Sequence, residues 1–583
     1  MYRELKILII AFICSSQFLS AQDEKDIGTE TVTVVRPYSP AVSDAFKVKS
    51  IPNLNDSIVL QKKKIDYSIF SIPVASTFTP AKGKASVVQK AKTEKLYNSF
   101  ASVSVGNFGN AIADFYTSRD IDRGNKRVDF GLNHHSSRGE LEGVPLDNDF
   151  YNTKLNASYI QKERDMNWRS DIGFQHQKYN WYGLPEGVFD EATINAINEG
   201  QNYFNLEAGA RLKMDESVFE GGEVLYRRFW DAAASGENRF LIKPKFQFPV
   251  STELVTLQVN FDYVGGSFKN ASINSTTNTT GINYGQLQFG ATPSLVLSGD
   301  NYTLNLGASL VYGMDTELSD SNFYIYPEIR ATYRLLDDTV IAYGGVEGGL
   351  EQNSYYGFVG ENPFVSPTLT ILPTDRQYDA FLGVKGQLIS NLSYNIRGFY
   401  KAENRKPLYK LNPLNSFRDD EKGYYFGNSF EVFYDDIKTI GLFAELNVDI
   451  NREFTLGINA ELFDYNTETD NPAWNLPDVK GSLFLDYQIG DKWYLGANLF
   501  YVGERRDLSA EVVENVLPED FPSTVITLDS FFDANAHVGY HFNEHLSIFA
   551  KANNIANNSY QRWANFRVQT FQVLIGASYK FDF

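Results

Sequence analysis

The sequence contains a single cysteine, Cys14, among 583 residues, and it lies close to the amino terminus. Disulfide bonds therefore cannot stabilise the remainder of the chain, which argues against a small secreted protein held together by disulfides. Beyond the amino-terminal region there is also no apolar run of about 20 residues, the length that a membrane-spanning helix requires. These two absences exclude a disulfide-stabilised fold and a helical membrane protein.

Basic residues are outnumbered: 53 Lys and Arg stand against 72 Asp and Glu, giving a net charge of −19. This balance argues against nucleic acid as a partner. Histidines are few as well, and His537, His541 and His545 are spaced as on a metal-binding helix face. The sequence around them predicts a strand and a turn, which places His537 and His541 about 13 Å apart, too far to share an ion. We expect no metal, no cofactor and no enzymatic activity.

Aromatic residues, in contrast, are abundant, with 35 Tyr and 44 Phe. Such a content is typical of transmembrane β-barrels, which carry girdles of aromatic side chains at both membrane interfaces. The mean hydropathy of −0.31 is compatible with a barrel, because only alternate residues of each strand face lipid.

The first 21 residues have the pattern of a secretory signal peptide. Arg3 and Lys6 precede the apolar run Ile7–Cys14, and a cleavage site is predicted near Ala21. Export without disulfides is typical of the bacterial cell envelope.

Residues 22–97 are rich in proline and lysine and show no sustained periodicity. We predict a mostly irregular periplasmic segment with a basic run at Lys62, Lys63 and Lys64. One short stretch is β-prone and is followed by Arg36-Pro37; it comprises Glu30, Thr31, Val32, Thr33, Val34 and Val35.

From residue 98 to residue 583 the sequence alternates between apolar and polar positions in segments separated by breaks. Short polar breaks, such as 298–301 and 490–492, alternate strictly with long ones, such as 352–375 and 504–524. Tight turns at one rim and long loops at the other are typical of a membrane barrel and not of a sandwich. We predict an all-β, transmembrane antiparallel β-barrel of about 22 strands, with both ends at the periplasmic short-turn rim.

The predicted lipid-facing side is clearest in strands that carry Leu304 and Leu306, or Leu495 and Leu499. The last strand alternates from Phe571 to the carboxyl-terminal Phe583 without interruption. The apolar side of each strand would face the hydrocarbon of the outer membrane.

The closing segments resemble the TonB-dependent receptor family. The Asn-rich turn within 550–560 is similar to the family's penultimate strand and loop, and 570–583 is similar to its closing strand. This resemblance implies that Tyr579, Phe581 and Phe583 form the barrel-assembly signal. Glu30–Val35 resembles the TonB box, a segment that binds the periplasmic protein TonB by strand addition.

The chain departs from the family because residues 36–97 are too short for its plug domain and lack its motifs. A 22-stranded barrel has a backbone diameter of about 44 Å and a hole of roughly 30 Å. The tail with inward loops, or a partner, must therefore occlude this hole.

Three functions remain open: uptake of a bulky solute, an assembly or scaffold barrel whose basic tail docks a periplasmic partner, and a passive pore.

Overall fold

The structure is a computed structural model that describes residues 95–582 except 123, 216, 251–252, 271–272, 274–280, 415–421, 451–452 and 511–520. The predicted signal peptide, the TonB-box-like stretch Glu30–Val35, the basic run Lys62–Lys64 and Phe583 all lie outside the described residues. The statements below concern the described part of the chain.

That part is dominated by strands, and two short helices lie in the loops. The strands are β1 (Ser99–Gly106), β2 (Ala111–Asp120), β3 (Lys126–Ser137), β4 (Phe150–Lys162), β5 (Met166–Asn180), β6 (Gly200–Met214), β7 (Phe219–Asp231), β8 (Gly236–Val250), β9 (Glu253–Phe268), β10 (Ile282–Ser298), β11 (Tyr302–Asp315), β12 (Asp320–Leu336), β13 (Val340–Glu351), β14 (Thr374–Ile389), β15 (Leu392–Leu411), β16 (Phe430–Asp449), β17 (Phe454–Thr467), β18 (Val479–Ile489), β19 (Trp493–Val502), β20 (Arg505–Ala510), β21 (Ser523–Leu528), β22 (Phe531–His541), β23 (Leu546–Asn553), β24 (Gln561–Trp563), β25 (Phe566–Arg567) and β26 (Gln572–Phe581). The helices are α1 (Glu191–Ala196) and α2 (Tyr355–Glu361).

Twenty-two of these strands form one antiparallel sheet in which each pairs with its neighbours in sequence. The sheet closes because β1 pairs with β26, from Ser99 opposite Phe581 to Gly106 opposite Leu574. The barrel is therefore a closed ring, and the predicted number of about 22 strands is confirmed. The remaining strands form two small hairpins, β20–β21 and β24–β25, within long loops.

Both ends of the barrel lie at the short-turn rim, as the sequence predicted. Lys95 Nζ is 2.8 Å from an Asp582 carboxylate oxygen, and the Asn98 backbone N–H donates to Asp582 at 3.1 Å. The first and last described residues are thus joined across the seam. The described chain consequently begins at the rim that carries the short turns.

The strand boundaries differ from the sequence pattern mainly at the long-loop rim. β15 continues to Leu411, although the alternating pattern predicted a loop from residue 404. In this extension Leu408 and Tyr409 point to opposite sides and are both buried, with 1% and 7% of their surface exposed. Alternation disappears there because both faces of the strand contact protein. The break at 107–109, predicted to be of medium or long size, is a short turn between β1 and β2.

The two faces of the wall differ as predicted. Leu306 and Leu499 are exposed on the outside, and Leu306 lies between Leu295 and Ile329 of the neighbouring strands. The inner face is lined with ion pairs, such as Arg239 with Asp262, which form two hydrogen bonds of 3.0 and 2.6 Å. An apolar exterior and a polar lumen are the arrangement of an outer-membrane β-barrel.

Both helices begin at residues whose side chains cap them. Asp190 accepts a hydrogen bond from the Thr193 N–H at 2.9 Å, and Ser354 accepts one from the Gly357 N–H at 3.0 Å. These caps satisfy backbone donors that a short helix leaves free. Among the described residues, no helix has both the length and the apolar character needed to cross a membrane.

The orientation of the barrel can be tested with single cysteines, because the chain has no cysteine after residue 14. Glu317 lies in the loop between β11 and β12, and Asp491 lies in the short turn between β18 and β19; both are exposed. On intact cells, a membrane-impermeant maleimide is expected to label Glu317→Cys and to spare Asp491→Cys. The reverse labelling would show that the long loops face the periplasm.

Candidate functional site

The long loops fold inward and build a compact apolar core at their rim, which we call the mouth layer. It consists of the loops between β3 and β4, β5 and β6, β9 and β10, β13 and β14, β15 and β16, β19 and β22, and β23 and β26, with the strand ends that they contact. Its fully buried side chains include those of Tyr355, Leu369, Ile371, Phe426, Phe430 and Phe566. Burial of so many large apolar groups stabilises a fixed arrangement of loops that would otherwise be solvated.

Three loops meet at the centre of this layer. The rings of Phe364 and Phe566 stack with centroids 3.9 Å apart, and Tyr182 lies 5.5 Å from the first ring and 4.9 Å from the second. Phe364 belongs to the β13–β14 loop, Phe566 to the β23–β26 loop and Tyr182 to the β5–β6 loop. Counted in this order around the ring, the loops are eight, six and eight strands apart. Side chains from three nearly equally spaced points can meet only near the barrel axis.

Contacts between opposite sides of the barrel show that the layer spans the mouth. The β5–β6 and β15–β16 loops are ten strands apart in one direction and twelve in the other. Nevertheless, the Asn428 side-chain amide donates to the Trp181 carbonyl at 2.5 Å, and the rings of Trp181 and Tyr424 are 5.1 Å apart. Together these loops bridge a backbone diameter of about 44 Å. Inward loops therefore provide occlusion at the outer rim.

The β13–β14 loop, residues 352–373, is anchored on the wall by Tyr355. Its hydroxyl donates to Asp231 at 2.7 Å, and its backbone N–H donates to Glu237 at 2.6 Å. The ring is fully buried and makes edge-on contacts with Phe229 and Phe268 at 5.1 and 4.9 Å. Because Asp231 and Glu237 belong to β7 and β8, this one residue fastens the loop to strands that are distant in sequence.

A second contact holds the tip of the same loop. The Tyr203 hydroxyl of β6 donates to the Pro363 carbonyl at 2.9 Å, directly before the central residue Phe364. At the end of α2, Glu361 accepts a hydrogen bond from the Tyr409 hydroxyl of β15 at 2.8 Å, and burial raises the pKa of the Glu361 carboxyl. The loop is thus fixed to both its near and its far wall.

The β20–β21 hairpin contributes a buried carboxyl group, Asp507. It accepts hydrogen bonds from the Leu411 N–H at 2.9 Å, from the Leu508 N–H at 2.8 Å and from the Asn475 amide at 2.7 Å. Although these donors favour the charged form, burial dominates and raises the pKa of Asp507 to about 6. The hairpin therefore carries an ionisable group that titrates near neutral pH.

The raised pKa of Asp507 makes the stability of the hairpin depend on pH. The folded state binds the proton more tightly than the unfolded state, so this group's stabilising contribution is present below about pH 4 and is lost as the pH rises through about 6. We expect a loss of up to roughly 3 kcal/mol across that range. It can be measured as thermal release of the hairpin, using an environment-sensitive label on Ser523→Cys. In Asp507→Asn the dependence should be flat; an unchanged dependence would assign it to another group.

A cavity of about 120 Å³ lies beside the central aromatic residues. It is bounded by Phe364, Tyr182 and Phe566, by Trp563 of β24, and by wall residues that include Asn180 at the end of β5. Arg567 also lines it and reaches the surface, where its guanidinium lies 3.8 Å from the exposed carboxylate of Glu186. The cavity is therefore adjacent to the surface of the protein at the long-loop rim.

The histidines do not converge. His537 and His541 both lie on β22, where His541 makes a 2.7 Å hydrogen bond with Ser547, and His545 lies in the turn that follows. In the part of the chain that the structure describes, no three His, Cys, Asp or Glu side chains are grouped so as to hold a metal ion.

Of the site residues named from the sequence, only Tyr579 and Phe581 are described. Both lie in β26, with their rings 5.9 Å apart, and Tyr579 is exposed on the outer face. Sequence reasoning named inward loops, together with the tail, as one way to occlude the lumen, but it did not identify the residues of the mouth layer. A signal was present, because loop 352–375 contains Tyr355, Tyr356, Phe358 and Phe364, and a solvated loop rarely carries so many aromatic residues.

No family model and no curated protein matches this sequence. Solved structures do match in fold. The FrpB iron transporter from Neisseria meningitidis has 10% identity and a TM-score of 0.63, covering 84% of this chain and 82% of that protein. The pyoverdine outer membrane receptor FpvA from Pseudomonas aeruginosa has 14% identity and a TM-score of 0.59, with coverages of 84% and 79%.

The ferric-catecholate import receptor Fiu from E. coli K12 also matches, with 12% identity, a TM-score of 0.58 and coverages of 84% and 83%. Since the identities are low, these similarities establish the fold. They confirm that the barrel has the architecture of the TonB-dependent receptors, as the closing segments of the sequence indicated.

Proposed function

We propose that this chain takes up a bulky solute across the outer membrane as a TonB-dependent-receptor-like barrel. The observation that supports this most is the mouth layer, a folded barrier across a barrel wide enough for a large molecule. A barrier made of loops can be displaced by a solute that binds to it, whereas the strands of the wall are held by continuous hydrogen bonds. Similarity in fold to receptors and transporters of iron compounds also supports uptake, but it does not identify the solute.

The mouth layer is evidence against a passive pore. A passive pore needs an open path, and here the loops from opposite sides of the mouth contact each other, as Asn428 and Trp181 do. Passage of a bulky solute therefore requires a change in the loops, and a change of this kind can be coupled to ligand binding.

Energy for such a change would come from TonB through the stretch Glu30–Val35. Strand addition needs free backbone donors, and proline at position 32 removes one of them and fixes φ. A peptide of residues 24–37 should bind the periplasmic domain of TonB, and Val32→Pro in that peptide should abolish binding. In cells, the same substitution should reduce uptake as strongly as loss of TonB while leaving the amount of folded barrel unchanged.

The scaffold hypothesis remains the second candidate, and one observation favours it. The mouth layer is fixed by fully buried contacts such as those of Tyr355, which suits a barrel that never opens. In that case the basic tail would dock a periplasmic partner. Replacing Lys62, Lys63 and Lys64 with Glu should then release a co-purifying protein in a salt-sensitive way, and Val32→Pro should have no effect.

A further inference from the structure

One arginine on the lumen wall has no carboxylate partner. Arg397 of β15 follows Ile396, which is 45% exposed on the outer face, so the side chain of Arg397 faces the lumen. Lys401, four residues further along the same face, lies 3.5 Å from the carboxylate of Asp379. Arg397, in contrast, forms neither an ion pair nor a hydrogen bond with any residue that the structure describes.

Three phenyl rings surround its guanidinium group. The guanidinium carbon lies 5.6 Å from the ring centroid of Phe381, 5.5 Å from that of Phe399 and 5.8 Å from that of Phe443. The rings attract the cation and hold it in place, but they carry no negative charge that could neutralise it. Arg397 Nε is buried without a partner, whereas the side chain as a whole is half-buried. The terminal nitrogens are therefore accessible from the lumen.

The charges around Arg397 leave a positive excess on this part of the wall. On β16, Glu445 accepts a hydrogen bond from the Asn447 amide at 3.0 Å and lies beyond ion-pair distance of Arg397. On β14, Lys385 adds a second cation, 5.5 Å from the ring centroid of Tyr343. Since partly buried charges are screened less than exposed ones, an anion that enters this part of the lumen is attracted to it.

The surrounding rings lie flat against the wall because glycines face them on neighbouring strands. A Cβ atom at Gly345 would come within 2.8 Å of the Phe381 ring, and Phe399 covers Gly441 in the same way. Glycine allows such an arrangement because it has no side chain to displace the ring. The lumen beside Arg397 is consequently bordered by ring surface.

Aromatic contacts connect Arg397 with the long-loop rim. Phe399 contacts Phe463 with centroids 6.0 Å apart, and Phe463 stacks on Tyr465 at 5.7 Å. The Tyr465 hydroxyl donates to the carbonyl of Pro477, in the β17–β18 loop, at 3.2 Å. Arg397 is the sixth of the 20 residues of β15, counted from the short-turn rim. A solute that had passed the mouth layer would therefore meet it on the way to the periplasm.

We propose that Arg397 and the rings of Phe381, Phe399 and Phe443 form a lumen site for a carboxylate that the transported solute carries on an apolar ring. The terminal nitrogens of the guanidinium donate to the two carboxylate oxygens, a geometry that a planar fork matches. The apolar surroundings disfavour a phosphate, because its second charge would also have to be dehydrated. The inference rests on the proposed uptake function and specifies the chemical class of its solute.

The test uses the purified full chain in a non-ionic detergent and three probes that share a fluorophenyl group. They are para-fluorobenzoate, the neutral para-fluorobenzamide and para-fluorophenyl phosphate. Fluorine NMR titration is expected to show saturable binding of the benzoate, and binding of the other two that is weaker by about tenfold or more. Equal or tighter binding of the benzamide would show that the charge of Arg397 has no role. Preference for the phosphate would overturn the assignment to carboxylates.

Three variants locate the binding. Arg397→Gln removes the charge and should weaken fluorobenzoate binding about 10- to 100-fold. Arg397→Lys keeps the charge without the planar fork and should give an intermediate affinity, and Phe443→Leu should weaken binding by removing ring surface. Arg211 also faces the lumen, but it lies 3.6 Å from Glu223. Arg211→Gln is therefore the matched control and should bind as the native chain does.

Equal affinity of the native chain and of folded Arg397→Gln would refute the proposal, with heat-modifiable migration as the measure of folding. Should Arg397→Gln fail to fold, Arg397→Met, whose apolar side chain suits the surrounding rings, takes its place. Binding of residues 24–37 to TonB does not involve the lumen wall, so failure of that binding would refute energised uptake and leave the site intact. Absence of fluorobenzoate binding with retained TonB binding would refute only the ligand class.

Discussion

Cells that carry Tyr355→Ala are expected to become permeable to large solutes that the outer membrane normally excludes. The substitution removes a fully buried ring, for which aromatic-to-alanine changes typically cost about 3–5 kcal/mol. It also removes the hydroxyl that donates to Asp231 at 2.7 Å. Since α2 and the tip at Phe364 belong to the same loop, release of Tyr355 should free the centre of the mouth layer.

The measurement is susceptibility to a large antibiotic, made in the full chain and in a chain that lacks residues 23–90. Tyr355→Phe keeps the ring and should show a much smaller effect, and Tyr378→Ala, exposed outside the barrel, should show none. Permeability that appears only after deletion of 23–90 would assign part of the barrier to the tail. Normal exclusion in both backgrounds, with normal amounts of folded Tyr355→Ala barrel, would refute a barrier role for the layer.

Leu306→Arg is expected to lower the amount of folded barrel strongly, while Asn305→Arg is tolerated. Leu306 lies on the outer face between Leu295 and Ile329, and arginine near the bilayer midplane costs about 2–4 kcal/mol in barrels of this kind. Asn305 precedes Leu306 in β11 and lies opposite Arg330 of the polar lumen wall, where a guanidinium stays hydrated.

Heat-modifiable migration of the protein from outer-membrane fractions measures both variants. The comparison is matched because the two positions share a strand, a depth and the introduced side chain. Equal amounts of folded barrel would mean that the assignment of inner and outer faces is wrong.

Much of the barrel could be predicted because strand signals are local. The alternation through Tyr302–Tyr312 is visible in a short window, and the turn at 490–492 is recognisable from its own residues. The prediction of strand ends failed where the burial of a strand depends on residues that are distant in sequence. At Leu408 and Tyr409 both faces of β15 are buried, and a strand covered on both sides has no alternation to detect.

Such local patterns could not predict the candidate site in the mouth layer. Asn180 and Trp563 line one cavity although most of the barrel sequence separates them. Neither residue has a neighbour in sequence that would indicate that the two lie close together. The TonB-box-like stretch Glu30–Val35 and the lysines at 62–64 remain predictions, because they lie outside the described residues.

The sequence by itself determined the class of fold, the approximate number of strands, the rim at which the barrel begins and ends, and the side of the strands that faces lipid. All of these follow from period-two alternation and from break length, which neighbouring residues encode. Only the tertiary structure decided that the mouth is closed by loops. Phe364, Phe566 and Tyr182 meet because closure of β1 onto β26 sets their loops at nearly equal intervals around one ring, and position on a ring is a property of the closed sheet.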